Sequence, residues 1–210
     1  MIEFERINNT QNELWHQALN IYREAFPAEE QQPQQTLEQR ITSPKGIVIV
    51  GKIQREVVCL GILWNLEQGN FTLLEYLCVH KKYRSRGIGH QLLGHISQQD
   101  DLKHRTIVAE VESPEPGPMQ LFQKKRINFY FKNGYQLLKD VHSFVPPLSG
   151  NTTTPILLMV HSIKPAFFYS KETISTLIKQ IYREIYSLDP ENKLLHKICS
   201  QLPNNIILMH

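Results

Sequence analysis

The segment Val79–Gly89, VHKKYRSRGIG, decides the fold because it joins an apolar strand to a helix through a basic turn. A helix start leaves several backbone N–H groups unpaired and carries partial positive charge, so phosphate oxygens are favoured there. Gly87 and Gly89 let an anion approach the main chain closely, and Arg84 and Arg86 add permanent charge. The sequence therefore predicts a pyrophosphate site at this junction.

Spacing separates the phosphate-binding motifs that these glycines could form. A dinucleotide fingerprint, G-x-G-x-x-G, needs its third glycine earlier than Gly94. A P-loop ending there would need Lys and Ser or Thr where His95 and Ile96 stand. The motif that remains is R-x-x-G-x-G over Arg84–Gly89. The alternative is a glycine-containing basic turn that simply enters an ordinary helix.

A second motif lies about forty residues downstream. The segment Gln120–Tyr135, QLFQKKRINFYFKNGY, predicts a helix that ends at Asn133-Gly134. The residues predicted on its apolar side are Leu121, Phe122, Phe129 and Tyr130. In this order, R-x-x-G-x-G and then Y-x-x-x-G-Y, the two motifs resemble the acetyl-coenzyme A loop and the helix-to-strand junction of the GNAT N-acetyltransferase superfamily. The resemblance covers roughly residues 1 to 163.

The order of the predicted elements fits that resemblance. Apolar segments separated by turn residues predict an antiparallel meander before the basic turn, and strands alternating with helices after it. The expected fold class is α/β, with a GNAT-like mixed, mostly antiparallel sheet of six to seven strands flanked by helices. The predicted strands are Glu3–Ile7, Ile47–Ile53, Val57–Trp64, Phe71–Val79, Thr106–Glu112, Tyr135–Leu138 and Ile156–His161.

The C-terminal part of the chain differs in character. Residues 1–163 form the predicted GNAT domain, and residues 164–210 form a C-terminal extension of two helices. One apolar stripe follows Ile174–Ile185, and a second follows Asp189-Pro190, which would start the second helix with Asp189 as N-cap. These helices either cover the sheet, form a homodimer contact, or act as a lid over the acceptor site.

Composition narrows the classes of protein. The 210 residues are 41% hydrophobic, which suits one domain plus an appendage. No apolar run reaches the roughly 18 residues of a membrane span and the start has no secretory pattern, so a cytoplasmic protein without a membrane partner is expected. The net charge of +3 is mild, and its basic clusters favour a polyanionic cofactor over nucleic acid.

Metal and thiol chemistry are not predicted. Of the nine histidines, His90 and His95 are five residues apart and miss the i, i+4 helical face of a zinc protease motif. Three widely spaced cysteines give neither a disulfide framework nor a metal pattern. No base is evident beside Cys78, so direct attack by the acceptor is favoured over an acetyl-cysteine intermediate.

Transfer of an acetyl group to an amine needs a base, because an ammonium group, with a pKa of about 10, has no lone pair. Alternation along the strand places Glu75 on one face with Leu73 and Leu77. A lone carboxylate among such apolar neighbours would be a better base. Glutamate here also resembles the general base of many GNAT enzymes. The alternative is a structural carboxylate paired to a nearby Arg or Lys.

The resemblance implies the remaining roles. Tyr130 would be the general acid that protonates the coenzyme A thiolate. Glu110 and Glu112 would point toward the acceptor, where they bind a cationic substrate or replace Glu75 as base. The main chain of Leu77 and Val79 would pair with the pantetheine arm, and the Leu77 amide would polarise the thioester oxygen. The predicted cofactor-binding residues are Leu77, Val79, Arg84, Arg86, Gly87, Ile88, Gly89 and His90.

The function expected from the resemblance is an acetyl-coenzyme A-dependent N-acetyltransferase, with acetyl-coenzyme A as co-substrate and no metal. Its acceptor would be a primary amine on a small molecule or a peptide, acetylated in a ternary complex. The alternative is a non-catalytic acetyl-coenzyme A-binding sensor or interaction module. The cofactor motif does not encode the acceptor, because the same fold serves many.

Overall fold

A computed structural model describes residues 1–147, 153–162, 166–189 and 191–210. These residues form an α/β fold with ten strands and six α-helices, and the predicted fold class, a mixed and mostly antiparallel sheet flanked by helices, is confirmed. In chain order the elements are β1 Glu3–Arg6, α1 Glu13–Ala25, α2 Gln34–Thr42, β2 Gly46–Ile53, β3 Glu56–Asn65, β4 Phe71–Val79, α3 Ile88–Ser97, β5 Thr106–Glu112, α4 Gln120–Lys132, β6 Gln136–Leu138, β7 Ser143–Val145, β8 Thr154–His161, β9 Phe168–Ser170, α5 Lys171–Glu184, α6 Lys193–Gln201 and β10 Asn205–Met209.

The chain divides into two compact units. The first unit contains Met1–Asn65 and Leu74–Lys103. The second unit contains Leu66–Leu73, His104–Pro147 and the described residues from 153 onward. Strand β4 therefore begins in the second unit and ends in the first.

In the first unit the strands lie in the order β1-β2-β3-β4, and β2 pairs antiparallel with both β1 and β3. Helix α1 begins after Asn12, whose side chain accepts a hydrogen bond from the Leu14 amide, 2.9 Å away. Its apolar stripe packs on β3 and buries Trp15 and Tyr22 almost completely. Burial of a side chain of this size stabilises the fold by about 1.5–3 kcal/mol.

Strand β4 separates its residues onto two faces, as its alternation predicts. Tyr76 and Cys78 point into the core of the first unit, where the Tyr76 ring meets the Tyr22 ring edge-on at 4.9 Å. Glu75, Leu77 and Val79 lie on the other face and retain part of their exposure as whole residues, although the Glu75 side chain itself is buried. The residues predicted to meet the cofactor thus share the less buried face of this strand.

In the second unit the strands lie in the order β5-β8-β6-β10-β9, and β7 pairs with β8. Helix α5 packs against β9, β10 and α6, and its apolar stripe is buried. The C-terminal extension therefore contributes strands as well as the two predicted helices. Strand β7 lies within a stretch that has no strand in the sequence prediction, between Leu138 and Ile156.

Two local expectations are wrong. Helix α6 begins at Lys193 and is capped by Asn192, whose side chain accepts from the Leu194 amide at 2.9 Å. The Asp189 carboxylate instead accepts from the Glu191 amide at 2.7 Å, so it closes a turn that precedes the helix. Pro190, predicted as the first helical residue, lies outside the described residues.

The apolar side predicted for α4 is also only partly buried. Tyr130 is the buried residue of this helix, whereas Leu121 and Phe122 are about 60% exposed. Burial increases toward the C-terminal end of α4, next to the Tyr130–Tyr135 junction. A sequence pattern marks the apolar residues of a helix, but it does not show which of its turns reaches the sheet.

Candidate active site

The basic turn has the conformation of an anion-binding helix start. Strand β4 ends at Val79, a 3₁₀ turn covers Lys81–Tyr83, and α3 begins at Ile88. The N-cap position is Gly87, which has a left-handed backbone with φ of 75° and no side chain to cap the first-turn amides. Those amides point out of the N-terminal end of the helix, roughly along its axis, where the helix dipole is positive. This backbone arrangement is the one that an anion site at a helix start requires, and the pyrophosphate site itself stays a prediction.

A second left-handed residue precedes Gly87 in the same turn. Ser85 has φ of 61°. For a residue with a Cβ this conformation costs on the order of 1–3 kcal/mol, and such residues cluster at ligand sites. Gln54, in the turn between β2 and β3 of the same unit, has a similar φ of 58°, so the basic turn is distinguished by the combination of this conformation with Gly87 and the helix start.

The two arginines of the turn, Arg84 and Arg86, are exposed, and each has one described contact within the turn or the end of β4. Arg84 donates from Nε to the Val79 carbonyl at 3.1 Å, which ties it to the end of β4. The Arg86 guanidinium lies 5.4 Å from the centroid of the Tyr83 ring. Lys81, by contrast, forms an ion pair with Glu24 at 2.7 Å. Both arginines thus lie in the turn that leads into α3, and both are exposed.

Helix α3 packs tightly against the rest of the first unit, so its N-terminal end is rigid. Ile88 is 5% exposed and belongs to a buried stripe that continues through Leu92, Leu93 and Ile96. Beneath it, a Cβ on Gly61 of β3 would lie 3.3 Å from the Ile96 side chain, so the helix and strand pack closely. His90, the third residue of the helix, is exposed. Close packing fixes the positions of the first-turn amides.

The strand pattern predicted that Glu75 is a lone carboxylate among apolar neighbours. In the structure it has a charged partner. Its carboxylate accepts from Arg40 Nε at 2.8 Å and from Arg40 Nη2 at 3.2 Å. The two side chains are only 5% and 4% exposed, and the guanidinium lies 4.4 Å from the Trp64 ring centroid. The alternative raised from the sequence, pairing with a nearby arginine, is therefore present. Arg40 comes from α2, which the local pattern around Glu75 cannot reveal.

The ion pair with Arg40 occupies part of the hydrogen-bonding capacity of the Glu75 carboxylate but leaves some of it available. A carboxylate has about four acceptor positions, and Arg40 occupies one on each oxygen. The remaining lone pairs can still accept a proton from a water molecule or an amine. Glu75 is thus a charged, rigidly held acceptor.

Tyr130 lies at the end of α4, where the second motif closes the helix. The Tyr135 amide donates to the Tyr130 carbonyl at 3.1 Å, and Gly134 takes the left-handed conformation, with φ of 77°, that ends the helix. The Tyr130 ring is 7% exposed and meets the Tyr135 ring edge-on at 5.0 Å. Burial raises the pKa of Tyr130 to about 12. Its phenol therefore remains protonated at neutral pH, as a proton donor must.

The two carboxylates of β5 point to the same face of their strand but have different partners. Glu112 accepts from Arg126 Nη1 at 2.9 Å. Glu110 accepts from the hydroxyl of Tyr186 at 2.6 Å, and Tyr186 follows directly on α5 in the C-terminal extension. Sequence reasoning missed Tyr186, as it missed Arg40, because each contact joins distant parts of the chain.

The predicted site residues are divided between the two units. The basic turn, Leu77, Val79 and Glu75 belong to the first unit, together with Arg40. Tyr130, Glu110 and Glu112 belong to the second unit, together with Tyr186. The contacts described above for each group are therefore contacts within one unit.

Thiol and metal chemistry receive no support from the described residues. Burial raises the pKa of Cys78 and that of Cys59 to about 12, so neither thiol is an activated nucleophile. Within the described ranges, no three His, Cys, Asp or Glu side chains are grouped so that they could hold a metal ion.

None of the helices in the described part of the chain is both long and apolar enough to cross a membrane.

Comparison with known proteins agrees with this geometry. Residues 44–137 match a family model described as an acetyltransferase (GNAT) domain, and these residues include β4, the basic turn and Tyr130. This match confirms the recognition made from the two sequence motifs: residues 44–137 resemble a GNAT acetyltransferase domain. No curated relative matches the sequence.

Solved structures have the same fold. A protein described as a GNAT-family acetyltransferase from Bacteroides thetaiotaomicron superposes with a TM-score of 0.73 at 23% identity, covering 89% of this chain and 99% of its own. The ribosomal-protein-S18-alanine N-acetyltransferase of Escherichia coli has a TM-score of 0.57 at 18% identity, covering 79% and 96%. An aminoglycoside 6'-N-acetyltransferase complexed with coenzyme A has a TM-score of 0.58 at 19% identity, covering 79% and 98%. At these identities the comparisons establish the fold.

Proposed function

We propose that the protein is an acetyl-coenzyme A-dependent N-acetyltransferase that acts on a primary amine in a ternary complex. The observation that carries this proposal is the start of α3, where Gly87 leaves the first-turn amides without a side-chain cap and two arginines flank them. Support comes from proteins of the same fold with coenzyme A or acetyl-coenzyme A bound. The fold alone does not assign an activity, so the proposal rests on this turn.

In the proposed complex the cofactor binds along β4 and the basic turn. The first-turn amides and the two arginines hold the pyrophosphate, and backbone groups of β4 pair with the pantetheine arm, in the manner of an added strand. The proposed cofactor-binding residues are Leu77, Val79, Arg84, Arg86, Gly87, Ile88, Gly89 and His90.

The proposed reaction is a direct acyl transfer. The amine nitrogen attacks the thioester carbonyl carbon, and the Leu77 amide stabilises the negative charge that develops on the carbonyl oxygen. Glu75 takes a proton from the amine, directly or through water, and the carbon–sulfur bond then breaks. Tyr130 gives its phenolic proton to the departing thiolate and regains one from solvent. The products are an amide and coenzyme A. Glu75 releases the amine proton to solvent, so the carboxylate and the phenol both return to their starting states.

The proposed acceptor is a small-molecule or peptide amine. The Escherichia coli relative acts on an alanine of a ribosomal protein, and the aminoglycoside enzymes act on small molecules. Both kinds of acceptor occur on this fold. Glu110 and Glu112 are proposed to attract an acceptor that carries positive charge.

The first test measures cofactor uptake and turnover by the full chain. Calorimetry with coenzyme A is expected to show binding at one site. A panel of amines that includes spermidine, lysine and a peptide with a free N-terminus is expected to contain at least one member that makes thiol release from acetyl-coenzyme A amine-dependent. Binding without turnover across the panel would favour the sensor, and failure of the folded protein to bind coenzyme A would contradict both functions.

Replacement of Gly87 by alanine is expected to weaken coenzyme A binding about tenfold. The position has φ of 75°, which strains any residue with a Cβ, although the space around it is open within 4 Å. The turn would change its backbone to relieve the strain, and the first-turn amides would lose their alignment. Calorimetry measures the change in affinity.

Gly94→Ala is the matched control, since this glycine lies inside α3 and also has open space around it. Alanine there is expected to stabilise the helix slightly and to leave coenzyme A affinity unchanged. Equal affinities for the two variants would show that the turn does not hold the cofactor.

A further inference from the structure

The basic turn of the first unit carries four exposed cations that differ in their partners: Lys81, Lys82, Arg84 and Arg86. Lys81 Nζ lies 2.7 Å from Glu24 Oε1, and this hydrogen bond lowers the pKa of the Glu24 carboxyl group. Arg84 donates to the main chain at the end of β4. Among the described residues, neither Lys82 nor Arg86 forms an ion pair. These two cations therefore keep their full charge.

Lys82 and Arg86 lie at one aromatic ring. The Lys82 ammonium group and the Arg86 guanidinium group are each 5.4 Å from the centroid of the Tyr83 ring. At that distance the quadrupole of the ring attracts a cation. Such a contact restricts a long side chain without neutralising its charge. One ring therefore holds two cations in a state in which they can still bind an anion.

Tyr83 is itself fixed at its main chain and at its hydroxyl. Its amide donates to the His80 carbonyl at 2.9 Å, within the 3₁₀ turn that follows β4. Its hydroxyl donates to Glu56 Oε2 at 2.6 Å, and Glu56 is the first residue of β3. The His80 ring also meets the Tyr83 ring edge-on at 5.8 Å. The ring is thus connected both to the end of β4 and to the start of β3.

We propose that Lys82 is a further phosphate-binding residue of the cofactor site and that Tyr83 is the positioning residue that holds Lys82 and Arg86 for this contact. The proposal rests on the proposed function, which places the phosphate groups of coenzyme A at the basic turn. Coenzyme A carries a pyrophosphate and a separate phosphate on its ribose, so it offers anionic oxygens to several cations. Side chains that are restricted before the ligand arrives lose less conformational entropy on binding.

The adjacent lysines provide a matched test. Lys82→Ala and Lys81→Ala remove the same charge from neighbouring positions, so they change the long-range field by nearly the same amount. Lys82→Ala is expected to weaken coenzyme A binding to the full chain about fivefold, because a phosphate group loses a charged partner. Lys81→Ala is expected to change it by less than about twofold, because Lys81 is paired with Glu24. Calorimetry at one fixed ionic strength measures both affinities, and equal values would overturn the role of Lys82.

Tyr83→Leu separates positioning from a purely structural role. It is expected to weaken coenzyme A binding about fivefold, because both cations lose the ring that restricts them. In the Tyr83→Leu background, Lys82→Ala is expected to weaken binding by less than about a further twofold, since the two residues act through one contact. A tyrosine that only supported the turn would leave the full effect of Lys82→Ala in that background, and this result would overturn the positioning role. Urea unfolding verifies that the compared variants are folded.

Dephospho-coenzyme A, which lacks the phosphate on the ribose, identifies the group that Lys82 meets. If Lys82→Ala weakens the binding of both ligands equally, the contact is with the pyrophosphate. If it weakens only the binding of coenzyme A, the contact is with the ribose phosphate, and either result upholds the proposal. A difference between the two lysine variants without turnover of any amine would refute the proposed activity alone. Failure of the folded, unmodified protein to bind coenzyme A would refute both.

Discussion

Replacement of Arg40 by alanine is expected to lower the free energy of unfolding by about 3–5 kcal/mol. The substitution leaves the Glu75 carboxylate, whose side chain is 4% exposed, without the guanidinium that it contacts through two hydrogen bonds. It also removes the cation that lies 4.4 Å from the Trp64 ring. Urea denaturation followed by tryptophan fluorescence measures the change.

Two further variants identify the cause of that loss. Arg183→Ala breaks the exposed ion pair with Glu67 and a longer contact of 3.3 Å with Glu184, and it is expected to change stability by about 1 kcal/mol, less than Arg40→Ala. Adding Glu75→Gln to Arg40→Ala removes the buried charge and is expected to restore part of the lost stability. If Arg40→Ala costs no more than Arg183→Ala, the pair is not the buried contact described above.

The environment of Glu75 shows which parts of a site can be predicted from sequence. The face on which Glu75 lies follows from the alternation of one strand, and the structure has it so. Its partner Arg40 lies 35 positions away on α2. Nothing in the residues around Glu75 encodes that contact, since it depends on how α2 packs against the strands. The strand was predictable, and the charge balance of the carboxylate was not.

The basic turn was more predictable because its chemistry is local. Strand, arginines, glycines and helix follow one another within Val79–Gly89, and each residue type has its own physical reason to be there. The left-handed backbone at Gly87 is the conformation that a glycine permits most easily. Ser85 shares that conformation, but a serine carries no comparable signal in the sequence.

The C-terminal extension was predicted least completely. The apolar stripe of α5 spans several turns, and the helix is present. Strands β7 and β9 have only three residues each, too few for a recognisable alternation, and β10 pairs with strands far away in sequence. Tyr186 lies just beyond a predicted helix, where neither periodicity nor a motif indicates its contact with Glu110.

Two conservative substitutions in the proposed catalytic pair are expected to have the largest effects on turnover. Glu75→Gln removes the proposed base, and Tyr130→Phe removes the proposed acid. Each is expected to lower kcat about 10²- to 10⁴-fold while coenzyme A affinity stays within about twofold. Thiol release with the best amine of the panel measures turnover, and calorimetry measures affinity.

The neighbouring Tyr135 supplies the matched control for the acid. It is as buried as Tyr130 and meets it edge-on, but the proposal gives its hydroxyl no part in the reaction, so Tyr135→Phe is expected to retain most of the turnover.

Because burial raises the pKa of Tyr130 to about 12, its ionisation is not expected to reduce activity in the mildly alkaline range. Glu75→Gln also leaves Arg40 buried beside a neutral amide, so its stability must be measured before its low turnover is assigned to lost base catalysis. If Tyr130→Phe and a folded Glu75→Gln both keep full turnover, these two residues are not the acid and base, and Glu110 or Glu112 becomes the base to test.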